Sequence, residues 1–176
     1  FTDRLCEATL KTIVNNVPLV LKDTDNYGAR AEIMWASTIA HNDLVGTGRV
    51  GDWASHDIEH EISGIYDIAH GAGLAIVFPA WMKYVCKHDI TRFVQFAVRV
   101  WDVEPDFRNP ERTALEGIAR MEAFFKSIGL PTSLKDAGIP EDRLDEMAQK
   151  GTEARALGEF VKLQKDDVLN ILKLAR

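Results

Sequence analysis

The stretch Glu32-Ile33-Met34-Trp35-Ala36-Ser37-Thr38-Ile39-Ala40-His41-Asn42-Asp43-Leu44-Val45-Gly46-Thr47-Gly48-Arg49-Val50-Gly51 decides the fold. Its last six residues read G-x-G-x-x-G, the pattern of a dinucleotide-binding turn. Such a turn works only between a strand and a helix, where the glycines let a pyrophosphate approach the helix N-terminus. The residues before Gly46 repeat with helical period and are too polar for a buried parallel strand. The acid that should follow about 20 residues on is also missing, since His70 and Gly71 stand there. Residues 46–51 are therefore expected to be a loop between helices, without a nucleotide. With that strand removed, nothing in the chain suggests a sheet.

Working outward, helical spacing covers residues 3–14 and 26–44, with Asn15, Asn16 and Pro18 predicting a break between them. A helix is expected from Trp53 to about Tyr66, and another from His70 toward Lys87 with a kink at Pro79. Asp89 is placed to cap 90–103. Asn109 and Pro110 open the next helix, and Gly129 and Pro131 stop it. Shorter helices are expected over Pro140–Lys150 and 165–175. Trp35, Trp81 and Trp101, with Met34, Met82, Met121 and Met147, are assigned to the core. The expectation is an all-α fold forming one domain over residues 1–176.

Composition narrows the function. The net charge is −6 with the two signs interspersed, which opposes a nucleic-acid binder needing a basic face. The longest apolar run, Gly71 to Trp81, is far short of the about 20 residues that span a bilayer. Cys6 and Cys86 form no C-x-x-C pair and read as buried free thiols of a cytoplasmic protein. No signal peptide opens the sequence. It starts on Phe1, already in helical pattern, as a fragment or processed piece would.

Chemistry concentrates in His56-Asp57-Ile58-Glu59-His60, an H-x-x-E-H pentapeptide. Histidines at i and i+4 sit about 40° apart on one helix face, so both rings can reach one cation. A zinc hydrolase of this type would use His56 and His60 as ligands and Glu59 to activate the water. Histidine pairs at this spacing also arise by chance, and the pentapeptide alone does not choose. His70 adds a third ring, fourteen positions after His56. A continuous helix would separate the two by about 21 Å, so sharing a metal requires the chain to break and return. Gly64, Asp67 as a cap, and Gly71 and Gly73 make that break possible. Trp53, just before His56, is a candidate wall of a substrate pocket; His41 and His88 read as surface or capping histidines.

The run Asp52-Trp53-Ala54-Ser55-His56-Asp57-Ile58-Glu59-His60-Glu61, with Tyr66-Asp67-Ile68-Ala69-His70-Gly71-Ala72-Gly73-Leu74-Ala75, resembles the iron-dependent (group III) alcohol dehydrogenases. Within them it is most similar to the branch of the butanol dehydrogenases and aldehyde reductases. Asp25-Asn26-Tyr27 through Trp35-Ala36 and Gly129-Leu130-Pro131-Thr132 resemble the same branch, so the similarity extends over the whole chain. The resemblance implies the helical C-terminal domain of the dehydroquinate synthase-like fold, without the N-terminal Rossmann-like domain that binds NAD(H) or NADP(H).

It further implies a divalent metal, iron(II) first and zinc second, held by an Asp-x-x-x-His pair and by two histidines matching His56 and His70. The histidine matching His60 lies beside the metal and nicotinamide, with a role in proton transfer or cofactor placement. The Asp-x-x-x-His pair would lie upstream of Phe1, so the chain alone is expected to be inactive. The implied reaction is hydride transfer between a primary alcohol or aldehyde and NAD(P), in a cytoplasmic homodimer. Two other readings stay open on the residues: the zinc hydrolase, and a helical interaction domain whose histidines do no chemistry.

Overall fold

Helix-forming spacing along the whole sequence becomes eight α-helices in the computed structural model, which describes residues 1–176. They are α1 (Thr2–Lys22), α2 (Tyr27–His41), α3 (Ala54–Tyr66), α4 (His70–Val85), α5 (Ile90–Trp101), α6 (Pro110–Ser127), α7 (Leu144–Thr152) and α8 (Lys165–Leu174). A short 3-10 turn, Leu44–Gly46, follows α2. No sheet forms; a single bridge pairs Leu157 with Leu163. Asn26, Asp89 and Asn109 each accept a backbone N–H from the first turn of α2, α5 and α6, satisfying a donor that a helix start leaves open.

The apolar run Gly71 to Trp81 lies within α4, the central helix, which packs against α3, α6 and α8. Ile76, Val77, Ala80, Met82 and Val85 enter the core from it, meeting Ile58 and Ile62 of α3, Ile118 of α6 and Ile171 and Leu172 of α8. No helix is long and apolar enough to cross a membrane. α5 and α6 approach so closely that a Cβ on Gly117 would lie 2.7 Å from Ala97 Cα.

Several expectations fail at the edge of the fold. The break expected at Asn15, Asn16 and Pro18 does not occur, and α1 runs through Pro18 to Lys22. Interior proline costs about 3 kcal/mol, yet α1 continues through it alongside α2. Trp35 and Met34 are 64% and 70% exposed rather than buried. α2 closes on its neighbour through Ala29 and Ala36, and periodicity does not say which stripe of a helix finds a partner. Trp81 and Trp101 are half-buried against the core, whereas Met82, Met121 and Met147 are inside it. Cys86 is buried but Cys6 is only half-buried, and both are free. Helix α7 starts at Leu144 rather than Pro140.

The Gly117–Ala97 contact supplies a stability test. Gly117→Ala should destabilise the fold by about 1–3 kcal/mol in a denaturant titration, because the added methyl meets backbone rather than a movable side chain.

Candidate metal centre

Asp52 sets the start of α3. One carboxylate oxygen accepts the Ala54 N–H at 2.8 Å, and the other accepts the N–H groups of Glu159 and Phe160 at 2.8 and 2.7 Å. A single side chain thus begins the histidine helix and holds a distant loop against it. Helix α3 then carries His56 and His60 one turn apart. It stops at Asp67, whose φ of 51° is left-handed and whose N–H bonds back to Ser63. Asp67 therefore ends α3 rather than capping a new helix. Helix α4 begins at His70 itself, so Gly71 and Gly73 are helical instead of loosening the backbone.

The chain breaks and returns as the three histidines require. The His70 ring centroid lies 5.4 Å from that of His56 and 5.3 Å from that of His60. Trp53 stands edge-on to His56 at 4.9 Å and is 62% exposed. All four rings line one cavity of about 630 Å³. Burial pushes His56 below the ordinary imidazole range, and the nearby His70 and His60 push it the same way. A neutral imidazole is the form that binds a cation.

Glu59, between the two histidines of α3, takes no part in the cavity wall and has no exposed surface. Its Oε2 lies against His70 Nδ1. A carboxylate can only accept, so the ring donates from Nδ1 and keeps Nε2 as a free lone pair. The second oxygen, Oε1, has no hydrogen-bond partner. Donor atoms of Glu59, His60 and His70 also fall within 4.8 Å of one another. A metal on that triple would compete with Nδ1 for an oxygen sealed from solvent, so the cavity-facing imidazoles are the better donors. The same sealing leaves Glu59 unable to hold a water in the open, as the H-x-x-E-H hydrolase would need.

Sequence reasoning missed part of the wall. His41, assigned to the surface, is exposed and yet faces this cavity, as do Arg155, Gly158 and Glu159 from the loop held by Asp52. Arg155 lies 3.3 Å from Asp57. No spacing signal joins positions so far apart in the chain. The Gly46–Gly51 loop contributes Val50 and Gly51, and is fixed by an ion pair rather than a strand. Arg49 reaches Asp3 at 2.7 Å, and Asp3 also binds Arg92 at 2.9 Å. Hydrogen bonds from Arg92, Gln95 and Arg49 hold the Asp3 carboxyl well below the usual carboxylate range.

Comparison with known proteins is consistent across the whole chain. The family described as Fe-containing alcohol dehydrogenase family, C-terminal, matches residues 1–176. NADH-dependent butanol dehydrogenase A of Clostridium acetobutylicum is 37% identical over 174 residues, which is 97% of this chain and 44% of that protein. The NADPH-dependent aldehyde reductase YqhD of Escherichia coli is 36% identical over 151 residues, 84% of this chain and 38% of its own length. The solved structure of NADH-dependent butanol dehydrogenase A from Thermotoga maritima superposes with a TM-score of 0.93 at 41% identity, covering 99% of this chain and 46% of that one. The chain thus spans less than half the length of these relatives.

Asp52 offers a check on the geometry. Asp52→Ala should cost about 1–3 kcal/mol, because the backbone N–H groups of Ala54, Glu159 and Phe160 lose their acceptor. Hydrogen exchange should quicken at Glu159 and Phe160 while α8 stays protected; unchanged exchange there would show that the loop is held by other contacts.

Proposed function

The chain belongs to the Fe-containing alcohol dehydrogenase family as its C-terminal domain, and from that premise we propose a metal-dependent alcohol dehydrogenase or aldehyde reductase. His56 and His70 hold the divalent metal, and His60 stands beside it. The observation that supports this reading is the return of His70 to His56 and His60 across the Asp67 turn, with Nδ1 engaged by Glu59; the division of roles among the rings follows the family resemblance.

The residues present fit such a group. Three imidazoles share one cavity, one of them with a buried carboxylate behind it. Nitrogen donors of this kind suit iron(II) and zinc alike. The family resemblance implies an aspartate and a histidine as further ligands, and a nicotinamide site, in the part of the relatives that this chain does not cover. When bound, the metal supplies Lewis acidity toward the substrate oxygen and the nicotinamide supplies or accepts the hydride.

The chain's own residues do the rest. In this reading His56 and His70 each offer a ring nitrogen to the metal. His60, on the same face of α3, is the proton carrier in this reading, because an imidazole ring nitrogen can take or return a proton. Trp53 forms an apolar wall beside His56, suited to the alkyl part of a primary alcohol or aldehyde. Arg155, Gly158 and Glu159 add a polar part to the same wall. NADH and NADPH are both named among the relatives, and these residues favour neither. A cytoplasmic setting fits the two free thiols.

The test separates ligand from proton carrier in the full-length protein. His56→Ala and His70→Ala should lose metal, and turnover with it. His60→Ala should keep the metal while turnover falls about 10²–10⁴-fold, the usual contribution of an acid–base group. Metal analysis beside steady-state kinetics reads both. Loss of metal from His60→Ala as complete as from His56→Ala would make His60 a ligand and overturn the division of roles.

A further inference from the structure

Burying a carboxylate is costly unless it is paired, and each open lone pair adds to the cost. Glu59 is fully buried, with one oxygen against His70 and the other without a partner. Its neighbours on the inner face of α3, Ile58 and Ile62, are apolar core residues, so a leucine would suit the position better on stability alone. The facing helix also gives way to it. A Cβ on Gly73 would lie 2.7 and 2.8 Å from Glu59 Cγ and Cδ, so α4 accommodates the carboxylate only because residue 73 has no side chain. Helical glycine itself costs about 1 kcal/mol relative to alanine. Two positions on two helices thus depart from what packing favours, and both departures serve one contact, to His70 Nδ1.

We propose that Glu59 is a positioning residue, with Gly73 as its necessary complement, that holds the His70 ring in its Nδ1–H tautomer and aims Nε2 at the metal. The inference rests on the assignment of His70 as a ligand and extends it to the pair that makes His70 competent. His70 needs this support because it sits in the first turn of α4, half-exposed, and Glu59 is the hydrogen-bond partner of its ring. A carboxylate behind a ligating imidazole fixes the ring and raises its basicity. Glu59 touches neither substrate nor cofactor in this role. It acts only through His70.

The experiment uses the full-length protein stripped of metal, with zinc(II) as the probe and a competing chelator to read affinity. Glu59→Gln keeps an acceptor without the charge, Glu59→Leu removes both, and Gly73→Ala forces the carboxylate aside. All three should weaken zinc binding, Glu59→Leu by about 10–100-fold and Glu59→Gln by less. Thermal melting is read in parallel. Glu59→Leu should melt at or above the wild-type temperature, since apolar replacement of a buried charge is often stabilising. A merely structural role would instead lower the melt and leave affinity alone. Long-range proton–nitrogen spectra of the metal-free protein should show His70 held with its proton on Nδ1 in wild type and exchanging between tautomers in Glu59→Leu. If Glu59→Leu does not fold, Glu59→Gln and Gly73→Ala carry the same comparison. Zinc affinity within about twofold of wild type in the folded variants, with His70→Ala having lost zinc, would overturn the positioning role and leave the ligand assignment standing. Retention of zinc by His70→Ala would overturn both.

Discussion

Everything at the centre depends on bringing His70 back to a ring fourteen positions earlier in the chain. A helix that continued through residue 66 would carry His70 far along its axis from His56. The left-handed backbone at Asp67 ends α3, and α4 starts at once with His70 in its first turn. The contact between Glu59 and His70 then ties the two helices at the turn, beneath the cavity. The same two helices supply much of the core through Ile58, Ile62, Ile76 and Val77, so the stable part of the molecule is also the part that aims the imidazoles. Precision of this kind is easier on packed helices than on loops.

A second layer of the site is borrowed from far along the chain. Asp52 spans the start of α3 and the loop at Glu159 and Phe160, and so carries Arg155 and Glu159 to the rim. Asp3 does the same for the glycine loop through Arg49, with Arg92 of α5 completing the knot. In both cases one carboxylate joins segments that share no regular hydrogen bonding. The cavity is accordingly built from packed helices on its histidine side and from loops elsewhere.

The helical class was legible because polar spacing before Gly46 excluded a strand and because Asn26, Asp89 and Asn109 announce helix starts by chemistry. The grouping of His56, His60 and His70 was legible from spacing together with a plausible break. What stayed hidden was partnership. Nothing local told that Trp35 would face solvent while Ala36 was buried, or that α1 would continue through Pro18. Glu59 was legible as an acid in a metal-binding pentapeptide, yet its burial depends on which way α3 rolls against α4. Gly73 reads from the sequence as backbone freedom and room for close packing; that the room is taken by Glu59 is visible only in the fold.

Anomalous diffraction from crystals of the full-length protein, collected at the metal edge, tests most directly the proposal that the metal belongs to His56 and His70 with His60 near but not bound. One metal is expected with nitrogens of His56 and His70 each at about 2.0–2.2 Å, and His60 outside that range. A metal bound by both His56 and His60, with Glu59 turned outward to hold its water, would contradict it.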